Sequence, residues 1–282
     1  MNCKSLDHAQ VLEILPNRTC DAHKGNFGRI LLLCGSRGYT GAAYLAAMGA
    51  LRSGAGLVYL AVPESIYGIE AVKLNEVIVL PMPDKDGKLS RDALGEILRM
   101  VKGMDAVLIG PGLGLSQDTE AVTLEVLQKA ECPVVLDADG ITLVAKHRNV
   151  LRERKWPTVL TPHDGEFLRL GYSIGDDRHS DAVNAARDLN AVIVLKGHGT
   201  VITDGNASYR NPTGNPGMAV GGSGDVLAGM ITALIGQGIP TLEAAACAAW
   251  LHGAAGDRCA HEMGQYGMLP TDMLHILPRL MK

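Results

Sequence analysis

The feature that most constrains this chain is a set of short aliphatic runs, each stopped by glycine or a polar loop. Ile30-Leu-Leu-Leu33 leads into Cys34-Gly35-Ser36, and the run over 106–110 leads into Gly110-Pro111-Gly112-Leu113-Gly114. The run over 133–136 ends in Asp137-Ala138-Asp139-Gly140, and that over 158–161 in Pro162-His163-Asp164-Gly165-Glu166. The run over 191–196 passes into Gly197-His198-Gly199-Thr200. Continuous apolar runs of this length, without polar alternation, predict strands buried on both faces. Helix-length segments lie between them, over 42–53, 91–102 and 118–130, with further strands over 57–62 and 76–82. The first helix and its flanking strands form a βαβ unit, whose crossover is right-handed. A hairpin is predicted around Asp204-Gly205-Asn206, joining 200–203 to 207–210. The last third is helical, over 226–237, 242–263 and 272–281. Strands alternating with helices predict an α/β fold with one mostly parallel sheet covered on both faces, three layers in all. Nothing resembling a linker, charge block or repeat divides residues 1–282, so a single domain is expected.

Composition narrows the function. Aromatic residues make up only 4% of the chain, so the core is aliphatic and alanine-rich. A net charge of −4, with no basic stripe, argues against nucleic acid and for a small-molecule ligand. No apolar run has the length of a membrane span, and the first twenty residues contain no signal-peptide core. The six cysteines are scattered without a CxxC pair. These features predict a reduced, cytoplasmic protein without a membrane partner.

In open α/β sheets ligands bind beyond the carboxyl ends of the strands, where all the loops named above fall. Residues 211–238 add a glycine-rich turn, Gly221-Gly222-Ser223-Gly224-Asp225, that opens an apolar helix. Such a turn presents unpaired N–H groups and the positive helix end to an anion. Asp225 has two readings, a helix cap or a base beside a bound phosphate. His163 and Lys196 divide similarly, between local structural bonding and ligand contact. Asp139 suits a turn or cap role, Asp137 shares that reading, and His252 and Asp257 suit packing. Zinc spacing, a GxSxG elbow, a Walker A sequence and a dinucleotide fingerprint are all missing.

The motifs HKGNFGRILLLCGS, GAAYLAAMGALRSGAGLV, IGPGLG, VVLDADG, LTPHDGE, VLKGHGTVITDG and NPTGNPGMAVGGSGDVLAGMI resemble those of the ADP-dependent (S)-NAD(P)H-hydrate dehydratases, within the ribokinase-like superfamily. The resemblance runs from about His23 to the HGAAGD segment. It implies a ribokinase-like fold and an ADP-dependent hydro-lyase that restores NADH or NADPH from its hydrated S-epimer, giving AMP and phosphate. By position it implies hydrate contacts at Ala42, Gly112, His163 and Asp225, with Asp225 as the base. It places the adenine nucleotide on Lys196, Gly197, His198, Gly199, Thr200 and Gly224, and the phosphoryl group on the turn Gly222, Ser223 and Gly224. Mg2+ is implied without assignable ligands. A homo-oligomer, possibly a tetramer, and a separate NAD(P)H-hydrate epimerase are expected alongside, since about two dozen residues precede the first strand. The alternative is a small-molecule kinase of the same superfamily, acting on a hydroxyethylthiazole, hydroxymethylpyrimidine or pyridoxal.

Overall fold

A computed structural model of the chain describes residues 3–282. Its strands are β1 (Arg29–Leu33), β2 (Leu57–Pro63), β3 (Ile78–Met82), β4 (Asp84–Lys85), β5 (Lys88–Leu89), β6 (Ala106–Ile109), β7 (Val134–Leu136), β8 (Thr158–Leu160), β9 (Val192–Leu195), β10 (Val201–Thr203) and β11 (Ser208–Arg210). Nine of them form one sheet in the order β11-β10-β9-β8-β7-β6-β1-β2-β3. It is parallel from β9 to β3, and the predicted hairpin β10–β11 adds the antiparallel edge. β4 and β5 make a separate small ribbon.

The α-helices are α1 (His8–Ile14), α2 (Thr40–Arg52), α3 (Glu64–Lys73), α4 (Leu94–Val101), α5 (Gln117–Lys129), α6 (Asp139–Val144), α7 (Asn149–Arg152), α8 (Asp164–Arg169), α9 (Arg178–Leu189), α10 (Ser223–Gly236), α11 (Thr241–Met263) and α12 (Pro270–Leu280). Alternation along each strand feeds two cores. Ile30, Leu32, Val58 and Leu60 join α2, α10, α11 and α12 on one face. Leu31, Leu33, Val107 and Ile109 join α4, α5 and α9 on the other. Each such aliphatic side chain contributes about 1.5–3 kcal/mol when fully buried. β1, whose last four residues are fully buried, is therefore the anchor of the sheet.

Two glycines set how α10 meets α2. A Cβ at Gly49 would lie 2.5 Å from the Val226 carbonyl oxygen, and one at Gly229 would collide with the Ala46 carbonyl. The helices thus touch backbone to backbone. Both begin at the carboxyl-terminal rim of the sheet: α2 follows β1, and the far end of α10, at Gly236, packs on Ile30 at the start of β1.

The predicted elements are present, with shifts at their ends. α10 starts at Ser223, three residues earlier than the apolar pattern suggests, because Gly222 takes a left-handed conformation (φ 96°) that lets the chain enter the helix directly. β3 starts at Ile78, two residues later than predicted. The helix α3 and the β4–β5 ribbon carry too little periodic apolar content to read from sequence: α3 buries only Ile66 and Glu70. All six cysteines are free. Among the described residues no helix is long and apolar enough to cross a membrane.

Candidate active site

The N-terminus of α10 is open. Gly222 is its cap residue and offers no side chain, while Asp225 is the third helical residue and so does not cap. The Ser223 N–H turns back to the Val220 carbonyl at 3.3 Å. The N–H groups of Gly224 and Asp225 have no protein acceptor among the described residues, so they and the helix dipole face outward as an anion site. Burial, with Asp137, Asp139 and Glu166 close by, pushes the Asp225 carboxyl up to about 6 against the opposing pull of Lys196. A carboxylate with a pKa near working pH is suited to general-base work.

Beneath this turn lies an ion pair assembled from adjacent strands. Asp137 follows β7, Thr161 follows β8 and Lys196 follows β9, so the sheet order brings the three together. Lys196 Nζ donates to Asp137 Oδ1 at 2.8 Å, and Thr161 Oγ1 donates to the same oxygen at 2.6 Å. Glu166 Oε2 stands 3.8 Å from the ammonium. Burial alone would depress Lys196, but Asp137, Glu166 and Asp225 hold its pKa above the ordinary value, so it is a cation. A Cβ on Gly224 would come within 3.3 Å of Lys196 Nζ and 4.0 Å of Asp137 Oδ2. The glycine turn therefore rests directly on the pair.

These residues line a cavity of about 840 Å³ with His163, the 196–200 loop, Asn211, residues 213–216, Met218, Ser223, Gly224, Asp225 and His252. The structural reading of His163 holds: its Nδ1 accepts from Gly165 N–H at 2.9 Å as the cap of α8, and the residue also lines the cavity. In the 196–200 loop Thr200 Oγ1 donates to the Gly197 carbonyl at 2.9 Å. Arg178 ties that loop to α8, donating to the Lys196 carbonyl and pairing with Asp164, each at 2.6 Å.

The wall formed by residues 213–218 was not assigned from sequence, although TGNPGMA carries it. Its support is Asp257 of α11, which accepts from Gly214 N–H at 2.9 Å and Asn215 Nδ2 at 3.0 Å. His252, one turn earlier, lines the cavity and stands 3.5 Å from Ser223 Oγ. Burial drives its pKa down to about 4, so it is neutral at pH 7. His252 is buried as a packing role requires, and Asp257 adds support for the 213–218 wall to that role. Asp139 also departs from a cap: it is the first residue of α6, and its carboxylate receives Gly114 N–H at 2.8 Å from the neighbouring loop.

Ala42 and Gly112 lie outside the lining of this cavity but against each other. A Cβ on Gly112 (φ 60°) would sit 2.9 Å from the Ala42 Cβ and 2.8 Å from the Tyr39 Cβ. Ser36 Oγ donates to the Gly112 carbonyl at 2.7 Å, and Gly35 N–H to the Pro111 carbonyl at 2.8 Å, locking the loops after β1 and β6 together. The β6 loop in turn presses on the β7 loop, since a Cβ on Gly110 would collide with the Asp137 carbonyl. The expected convergence of strand-end loops on one rim is therefore present from β1 to β9.

A family model described as NAD(P)H-hydrate dehydratase matches residues 30–279. This chain belongs to that family. It is 46% identical over 275 residues to the bifunctional NAD(P)H-hydrate repair enzyme Nnr of Moorella thermoacetica, covering 95% of the chain and 52% of that enzyme. The chain thus spans about half the length of the bifunctional relatives it matches. It is also 36% identical to the ADP-dependent (S)-NAD(P)H-hydrate dehydratase of Bacillus subtilis, over 100% of the chain and 99% of the relative. The solved ADP/ATP-dependent dehydratase of B. subtilis, co-crystallised with ATP/Mg2+, superposes with a TM-score of 0.84 at 32% identity, over 99% and 98% of the two chains. A hydroxyethylthiazole kinase from Pyrococcus horikoshii (TM-score 0.66, 18% identity, 96% and 92% covered) shares the ribokinase-like fold alone.

The B. subtilis dehydratase was co-crystallised with ATP/Mg2+. Among the described residues no three His, Cys, Asp or Glu side chains are grouped to hold a metal. Asp137 is already bonded to Lys196 and Thr161. Mg2+ keeps most of its waters and binds through phosphates with one or two carboxylates, so the carboxylates at this rim suit an ion carried by the nucleotide.

Proposed function

We propose that this chain uses ADP to dehydrate the S-epimer of hydrated NADH or NADPH, releasing AMP and phosphate. The supporting observation is the placement of Asp225 at an uncapped helix N-terminus that shares one cavity with Lys196 and the Gly197–Thr200 loop. The hydroxyl on a hydrated nicotinamide ring is a poor leaving group. Asp225 takes its proton as the oxygen attacks the β-phosphorus of ADP, and the bond from that phosphorus to the AMP oxygen breaks. The Gly224 and Asp225 N–H groups and the Lys196 ammonium stabilise charge on the phosphoryl oxygens in transit. Phosphate then leaves with the electrons of the carbon–oxygen bond as the ring double bond re-forms, a proton being lost from the neighbouring carbon. Mg2+, if brought in on the nucleotide phosphates, would neutralise phosphate charge there.

In this reading the nucleotide occupies Lys196 to Thr200 and Gly224. The hydrated ring reaches Asp225 and His163 from the Ala42–Gly112 ledge. The other epimer is expected to enter through an epimerase activity, and the chain to work as a cytoplasmic homo-oligomer. The test supplies hydrated NADPH and ADP and follows the return of the 340 nm absorbance of reduced nicotinamide. Recovery of that absorbance with one AMP and one phosphate per turnover is expected. No recovery, with a phosphorylated vitamin alcohol accumulating instead, would replace this reading with a small-molecule kinase.

A further inference from the structure

Asp225 is surrounded by charge from every side of the rim. Asp137 and Asp139 face it from the end of β7 and the start of α6, Glu166 from α8, and Lys196 from the end of β9. The Cys34 thiol lies below, at the end of β1, and neutral His252 stands near Lys196 on α11. One cation therefore has three carboxylates within reach, and where it sits determines whether a free base exists. Lys196 is bonded to Asp137 at 2.8 Å, is 3.8 Å from Glu166, and makes no hydrogen bond to Asp225.

The means of that choice is built into β7 and β8. Asp137 is 1% exposed and is fixed by the Thr161 hydroxyl at 2.6 Å. The next residue, Ala138, adopts φ 48° and ψ −115°, a conformation that L side chains rarely accept. Residues are held in such conformations only when their surroundings over-determine them. Here the turn sends Asp139 to Gly114 while Asp137 stays down against Lys196. We propose that Asp137 is a positioning residue that holds the Lys196 ammonium beneath Gly224 and away from the Asp225 carboxylate, so that cation and base stand side by side without neutralising each other. This inference rests on the reading of Asp225 as the base.

Without the Asp137 charge, Lys196 turns to the nearest remaining carboxylates and takes Asp225 as a partner. In D137N, kcat for dehydration falls roughly tenfold and the acid limb of the kcat/KM profile moves down by about one pH unit, since an opposite charge favours the ionised carboxyl. The decisive comparison is a cycle of D137N, K196M and the double variant. Asp137 acting through Lys196 predicts that D137N changes kcat less than about twofold in the K196M background. An equal factor in both backgrounds overturns the proposal. The double variant removes both members of the Asp137–Lys196 pair together and keeps the test open should D137N alone fail to fold. The 13C-carboxyl titration of Asp225 in the full chain, assigned by its loss in D225N, separates this inference from the reaction itself. Loss of the Asp137 charge by itself lowers Asp225, so the shift is compared with and without Lys196. A downward shift from D137N that is larger with Lys196 present than in the K196M background supports the positioning role even if no hydrate turns over. The same shift in both backgrounds overturns that role even if dehydration is robust.

Discussion

The two halves of the site are built on opposite plans. The cavity side is crowded with polar groups: a buried ion pair, a capping histidine, and a wall pinned by Asp257. The ledge at Ala42 and Gly112 carries no charge, and its shape comes from the Cβ atoms of Ala42 and Tyr39 pressing so close that only glycine fits between them. In the proposed reaction the charged side handles the phosphoryl group, and the close-packed ledge admits the hydrated ring to the same rim. A polar site fails when a charge is mispaired, whereas a close-packed one fails when any atom is added.

That contrast can be broken at several points. The largest effect is expected on the cavity side. Asp225→Asn should lower kcat by about a hundredfold or more, the low end for losing a general base, with nucleotide affinity measured by calorimetry little changed. In the unmodified protein kcat/KM should fall tenfold per pH unit below about 6, where Asp225 becomes protonated. A flat profile down to pH 4.5 would remove Asp225 from the role. Next comes the ledge: Gly112→Val adds atoms where a Cβ already meets Tyr39 and Ala42, at a φ of 60°. It should raise KM for the hydrate by tens-fold while calorimetric ADP affinity stays within about threefold, a loss of about 2 kcal/mol. Equal weakening of both ligands would mean that ledge and cavity are a single site.

Asp257→Ala frees the Gly214 and Asn215 groups it holds. It should raise KM for ADP several-fold with kcat unchanged, which is the signature of lost uniform binding. The smallest effect concerns stability. Burial holds the Asp225 carboxyl, at about 6, above the ordinary aspartate range, so its ionisation opposes folding. That penalty is absent below about pH 4, where the group is neutral folded or unfolded, and complete above about 6. Asp225→Asn should therefore raise Tm by a few degrees at pH 7.5, corresponding to about 1–2 kcal/mol, and by nothing at pH 3.5. A variant less stable at pH 7.5 would show that the carboxylate is well solvated where it stands.

Much of this was legible in the chain, for reasons that differ along it. The buried parallel strands announced themselves through uninterrupted aliphatic runs, and the Gly221–Asp225 turn through glycines ahead of an apolar helix. The Asp137–Lys196 pair was not legible. It depends on β7, β8 and β9 being spatial neighbours, and nothing in residues 137 and 196 taken singly reports that order. Asp139 was likewise read locally, whereas its partner, Gly114, sits on the preceding strand's loop. The role of Asp257 was hidden because a carboxylate on a long helix reads only as a packing or interface residue until the chain that folds over it is placed.

The contact between α2 and α10 has a further consequence. The ledge rides on the first turn of α2 and the phosphoryl turn on the first turn of α10, and the bodies of these helices meet at Gly49, Val226, Gly229 and Ala46 without intervening side chains. Interiors packed in this way scarcely compress. In the proposed reaction, the gap a phosphoryl group crosses is thus gauged by two helices in direct backbone contact. Loops on either side are free to diverge and retune what each half accepts. The span between donor and acceptor can be altered only by replacing that contact itself.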